Sequence, residues 1–251
     1  MTQARKLAWI LFAWSAFSSG TALAHDVDPD SDADNYAKFW LTLDADRVGG
    51  QAMAGTTFTL GDLDLAANLV LSQAYSGVVD PLQNAEFHAR IGDGYRAPTA
   101  RLELGPALSV GGFFFLPKLG IGFDFEREQV APLVPQLVTI IQGGPVYIES
   151  WLQVYLYDLF DDGSQDSFYT RDAILVGLSN HWAVGPQVEL TVALQNASGQ
   201  TVRSLPLGAR INFSPAEPIT FGLFAAYEFE KVARNSENDF LSGRITATVL
   251  W

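Results

Sequence analysis

Leu241, Gly243, Ile245, Ala247, Val249 and Trp251 occupy alternate positions of the stretch Phe240 to Trp251, and Ser242, Arg244, Thr246 and Thr248 fill the positions between. Successive side chains of an extended strand point to opposite faces, so this spacing gives one apolar and one polar face. Hydrophobic residues make up 48% of the 251-residue chain. Beyond the N-terminal segment, however, no apolar run approaches the roughly 20 residues that a membrane-spanning helix needs. A chain of this kind crosses a bilayer only as strands. In hydrocarbon every backbone N–H and C=O must be paired within the protein, which demands a closed barrel.

The same period recurs through the chain between clusters of Gly, Pro, Asp and Asn. Phe39, Leu41, Leu43 and Ala45 oppose Lys38, Thr42, Asp44 and Asp46; Leu63, Leu65, Leu69 and Leu71 oppose Asp64, Ala66, Asn68 and Ser72. Phe87, Ala89 and Ile91 alternate with Glu86, His88 and Arg90, and Leu102 and Leu104 with Arg101 and Glu103. Further strands are expected at Leu119–Glu126, Tyr147–Tyr157, Tyr169–Ser179, Val188–Gln195, Leu207–Phe213 and Ile219–Glu230. Pro135–Gln142 is apolar on both sides and reads equally as a strand, a loop or a short helix. The total is about twelve strands, or about ten if Pro135–Gln142 and Tyr169–Ser179 do not span, and bacterial barrels favour even counts.

A strand this regular that ends on Trp251 resembles the closing strand of the Gram-negative outer-membrane β-barrels, a porin-like class, with no particular subfamily matched. The resemblance implies an all-β, closed antiparallel transmembrane barrel over residues 36–251 in the cell outer membrane. It also implies that Val249 and Trp251 form an insertion signal read by the barrel-insertion machinery. Short links such as Ser214–Pro218 and Asn180–Pro186 become periplasmic turns, and the segments after Tyr157 and after Glu230 become external loops. Trp182, Phe213 and Trp251 then share one membrane boundary. A secreted β-sandwich, whose apolar faces would form a core, is the competing architecture.

Arg5 and Lys6 precede the apolar core Leu7–Trp14 and the small-residue box Ala22-Leu23-Ala24, the pattern of a cleaved signal peptide over residues 1–24. An acidic leader, residues 25–35, follows. Asp26, Asp28, Asp30, Asp32 and Asp34 could chelate calcium, but Ser31 and Ala37 stand where an EF-hand loop needs Gly and Glu. No metal or cofactor is therefore expected. The net charge of -13 argues against nucleic acid as a partner, and the absence of cysteine excludes disulfides, thiolate metal sites and a lipid-modified cysteine.

The polar faces carry both signs of charge: Glu86, Arg90, Arg101, Glu103, Asp124, Glu149, Glu189, Arg210, Glu228 and Arg244. Facing a lumen, with His88 and Tyr155, they either line an aqueous pore that passes small polar solutes or form a salt-bridged filling that closes the barrel. Glu228 and Glu230 are the expected counter-charges of Arg244. Tyr147, Trp151, Tyr155 and Tyr157 form an aromatic track or ordinary packing. A barrel enzyme acting on outer-leaflet lipid would need a paired histidine. His25 lies in the leader and His181 in a turn, so His88 is the one candidate, and the His-x-Ser-Asn-Gly pattern resembling outer-membrane phospholipases is missing. The expectation is a passive channel and no enzyme, with a structural or surface-binding barrel as the alternative, outer-membrane lipid as its surroundings and oligomeric state open.

Overall fold

The computed structural model describes residues 35–44, 47–76, 95–110, 112–125, 127–160, 166–194, 202–216, 219–229 and 241–250. The strands are β1 (Asn35–Asp44), β2 (Arg47–Leu60), β3 (Leu63–Ser76), β4 (Tyr95–Pro106), β5 (Leu108–Val110), β6 (Phe113–Asp124) and β7 (Gln129–Gly143). They continue with β8 (Val146–Tyr155), β9 (Ser167–Gly177), β10 (Trp182–Ala193), β11 (Val202–Ser204), β12 (Pro206–Ala216), β13 (Ile219–Glu228) and β14 (Leu241–Leu250). All but the short β5 and β11 make one wall of twelve antiparallel strands, each hydrogen-bonded to the next. The wall closes where β1 pairs with β14, from Tyr36 opposite Leu250 to Asp44 opposite Ser242. Among the described residues the twelve-stranded wall has no open edge, as spanning hydrocarbon requires.

The connections alternate between the two ends of the barrel. One end of the barrel carries the start of β1, the end of β14 and the links at 61–62, 107–112, 144–145, 178–181 and 217–218. The opposite end carries the link at 45–46 and those at 77–94, 125–128, 156–166, 194–205 and 229–240. The two-residue turns at 61–62 and 144–145 each use a glycine in the left-handed region, Gly61 at φ 62° and Gly144 at φ 55°, the conformation that tight hairpins need and side chains resist. At the short-turn end Trp182 lies opposite Phe213 with ring centroids 4.5 Å apart, in the position of an aromatic girdle. Trp251 lies outside the described residues.

Burial is inverted relative to a soluble domain. Leu102 is 62% exposed while its neighbour Glu103 is 2% exposed, and Leu223 and Ile245 are exposed while Glu149, Arg171 and Glu189 are buried. A β-sandwich would bury its leucines. A wall that turns them outward and its ions inward is built for a lipid surround.

The segments that make up the twelve differ in part from those expected. β3 pairs directly with β4, Leu69 opposite Leu102; Phe87, Ala89 and Ile91, expected as a strand between them, lie outside the described residues. The count of twelve is made up instead by β2. Its small outward residues Ala54 and Thr56 and inward Gly55 and Thr57 give almost no hydropathy contrast, and it is held by fourteen-residue register with β3, Arg47 opposite Ser76 to Leu60 opposite Leu63. The doubtful Pro135–Gln142 is part of β7, the longest strand at 15 residues. Both of its faces are apolar because Val134, Val138 and Ile140 are buried inside the barrel while Leu137 and Ile141 face outward.

Candidate functional site in the barrel interior

The interior holds apolar as well as charged side chains. Ala66, Phe114, Leu116, Ile140, Tyr147, Leu175 and Ala183 lie near the short-turn ends of their strands, and with Met53, Val70, Ala107, Val138 and Trp151 they form one buried apolar cluster. The expected heavily ionised inner face is therefore only part of the interior. Alternation along β6 and β7 was hidden by apolar residues on both parities. Charged inward side chains interleave with this cluster, Glu149 lying between Tyr147 and Trp151 along β8.

Three carboxylates organise that charge. Glu103 on β4 accepts hydrogen bonds from Arg101 Nε at 2.7 Å, Lys118 Nζ at 2.8 Å and Asn68 Nδ2 at 3.0 Å. Arg101 lies flat against β6 because position 120 is glycine; a Cβ there would sit 2.9 Å from Arg101 Cδ. Glu149 on β8 pairs with Arg171 Nη2 from adjacent β9, with Arg210 Nη1 at 3.4 Å from β12, and accepts from Tyr147 Oη at 2.8 Å. Glu189 on β10 accepts from Arg244 Nη2 of β14 and Gln187 Nε2, both at 2.7 Å, and from Tyr169 Oη at 3.0 Å. Arg210 and Arg244 each reach a carboxylate three strands away around the wall, so these pairs bridge interior space.

Aromatic groups complete the crossing. The Arg171 guanidinium lies 4.6 Å from the Trp151 ring centroid, and Lys38 Nζ, from β1 on the opposite wall, lies 5.9 Å from the same ring. Trp151 Nε1 donates to Gln136 Oε1 at 3.0 Å. The Arg101 guanidinium sits 5.6 Å from the Tyr155 ring, which stacks on Tyr157 at 6.3 Å. Cations over aromatic faces gain electrostatically from the ring quadrupole, more so when desolvated.

Among the inward residues named from sequence, Arg101 and Glu103 meet in the first cluster, Glu149 and Arg210 in the second, and Arg244 and Glu189 in the third. Asp124 is at the end of β6, where Oδ1 accepts from Arg127 N at 3.0 Å and holds the β6–β7 turn. Glu86, His88 and Arg90 lie outside the described residues. The expected Arg244 partners are corrected: Arg244 lies opposite Phe224 on β13, several residues from Glu228, and reaches Glu189 instead. Glu228, 0% exposed, accepts from Ser204 Oγ and Leu205 N, both at 2.6 Å, and so fastens β11 and the β10–β12 connection. Glu230 lies outside the described residues. Charged-group hydrogen bonds of this kind contribute about 1.5–3 kcal/mol each. Glu228→Ala is therefore expected to speed amide exchange at Val202–Leu205 while leaving β1–β9 protected, as read by hydrogen–deuterium exchange.

Lys118, Arg171 and the role of Lys38 were not found from sequence. Lys118 follows the apolar run Phe113–Pro117, which masks where β6 begins, and Arg171 adjoins Asp172 in a strand with poor alternation. Lys38 stood on a polar face, but nothing in a one-dimensional pattern places it against Trp151, 113 positions along the chain. His181 Nδ1 lies 2.7 Å from Ser214 O at the short-turn end, where a turn was expected.

The chain is thus a closed twelve-stranded β-barrel with the porin-like fold of outer-membrane channels. No family model matches it, and no curated protein sequence does. Solved structures do match. An outer membrane channel from Pseudomonas putida F1 aligns with 90% of this chain and 100% of its own, at TM-score 0.55 and 10% identity. The NanC porin aligns with 86% of this chain and 99% of its own, at TM-score 0.52 and 7% identity. The KdgM porin, in complex with disordered oligogalacturonate, aligns over the same shares at TM-score 0.50 and 6% identity. At such identities the likeness is one of fold.

Proposed function

We propose that this barrel is an outer-membrane channel through which small polar solutes diffuse passively past a mixed-charge lumen. The observation that carries it is the pair of inward arginines Arg210 and Arg244, whose side chains each keep 11% of their surface accessible while facing carboxylates three strands away across the interior. Opposed charges bordering a water-accessible path set a field that sorts solutes by charge and size. The similar structures being named porins and an outer membrane channel supports transport over catalysis. On this reading the signal peptide is removed in export, the machinery that inserts barrels reads Val249 and Trp251, the short turns are periplasmic, and the long connections face outward.

Single-channel recording in planar bilayers tests the proposal; discrete steps are expected, and their absence at high protein loading overturns it. Arg210→Ala and Arg244→Ala are each expected to shift the reversal potential in a salt gradient toward cation preference. An unchanged potential in both would take them off the conduction path. A second reading, a closed barrel, draws on the burial of Lys38 and Trp151, each 4% exposed, where the walls meet.

A further inference from the structure

Asp172 is the sixth of the eleven residues of β9. Its neighbours fix its direction: Arg171, Ala173 and Leu175 are buried inside, whereas Ile174 and Val176, on Asp172's own face, are exposed large hydrophobics. The carboxylate therefore stands on the outer wall, where it accepts a hydrogen bond from Thr170 Oγ1 at 2.8 Å on the same face. In register with it lies Ser150 on β8, and opposite Ser150 lies Thr139 on β7. Both point outward too, since Glu149, Trp151, Val138 and Ile140 on either side of them are buried inside.

These groups are deep in the apolar band. Each lies four or five residues in from the short-turn end of its strand. At about 3.3 Å rise per residue and roughly 40° of tilt, that is about 11 Å up a band about 25 Å tall. Ile148 and Leu152 flank Ser150 along β8, and Leu137 and Ile141 flank Thr139 along β7, all on the outer face. Hydrocarbon offers a carboxylate no donor, and one threonine hydroxyl fills only part of its acceptor capacity.

We infer that the β7–β9 sector of the outer wall is the contact surface between two copies of this chain. A two-fold axis along the membrane normal beside Ser150 sets β9 of one copy against β7 of the other. The acceptor Asp172 of each copy then faces the hydroxyl donors Ser150 and Thr139 of the other, the reciprocal pairing that an isologous contact requires. In a single copy Thr170 donates to Asp172 and Ser150 stands beside it on the same wall; the acceptor capacity that is left faces hydrocarbon, and a second copy adds donors from the same three strands. The inference needs only the membrane-spanning barrel and holds whether or not the lumen conducts.

The chain has no cysteine, so single introduced thiols report without background. In the full barrel reconstituted into phosphatidylcholine vesicles, Ser150→Cys is expected to oxidise to a covalent dimer on non-reducing gels. Leu223→Cys, on the lipid face of β13, is expected to remain monomeric. Adding Asp172→Leu to Ser150→Cys is expected to abolish the dimer band while the far-ultraviolet circular dichroism stays that of a folded barrel. Cross-linking of Ser150→Cys no greater than that of Leu223→Cys overturns the inference, as does cross-linking indifferent to Asp172→Leu. The comparison of the two thiols is made with Asp172 intact, so it decides the matter even where the leucine variant does not insert.

Discussion

Glu149→Ala is expected to lower the unfolding free energy of the barrel by about 3–5 kcal/mol, the scale for removing one partner of a buried ion pair. Glu149 is 3% exposed and is the carboxylate shared by Arg171 and Arg210, with Tyr147 donating to it as well. Its deletion leaves the buried Arg171 guanidinium with its main counter-charge gone and Arg210 with its 3.4 Å partner gone. Lys38 stands nearby as a further cation over Trp151. The cost comes from uncompensated charge, not from lost packing area, because a glutamate side chain contributes little apolar surface. Urea unfolding in lipid vesicles should show the midpoint falling with the slope unchanged, since the surface exposed on unfolding is the same.

A double variant separates the two causes. Replacing a buried pair by apolar residues of similar volume is often neutral. Glu149→Leu combined with Arg171→Met is therefore expected to recover much of the stability lost in Glu149→Ala, although Arg210 still loses its partner. If the double variant is as unstable as the single one, shape or hydrogen bonding at Glu149, and not charge balance, holds this part of the barrel.

The wall was legible in the sequence because lipid and interior impose opposite demands on alternate residues. Where that contrast is strong, as at Leu102–Leu104 or Ile219–Glu228, position and direction follow from the letters alone. It fails in β2, where alanine, glycine and threonine suit either face, and in β7, where an apolar cluster inside matches an apolar surround outside. The ionic clusters follow the same division. Arg101 and Glu103 share a face two residues apart and could be paired by eye. Arg244 and Glu189, or Lys38 and Trp151, meet only because closure folds the wall into a ring, and no spacing rule encodes the ring's diameter. Arg244 was accordingly assigned to its strand neighbour, when the interior space let it reach three strands away.

Trp151 is buried in that interior space between cations of two opposite walls, and Trp151→Ala is expected to raise single-channel conductance severalfold. The indole occupies the point where Arg171 of its own wall and Lys38 of the opposite wall converge, at 4.6 and 5.9 Å from the ring. Removing it leaves the Arg171–Glu149 pair in place and a gap bordered by Gln136, Lys38 and Arg171, polar groups that water can solvate. A dry void is therefore not formed, and the loss of stability is expected to fall below the 3–5 kcal/mol or so typical of Trp→Ala in an apolar core. Trp151→Phe, which keeps a ring for both cations, is expected to change conductance much less. A barrel that is closed when intact should begin to conduct on the alanine substitution, so the variant is informative under either reading of the lumen. Unaltered conductance with a folded barrel would show that solutes pass elsewhere, along the side lined by Arg101 and Tyr155.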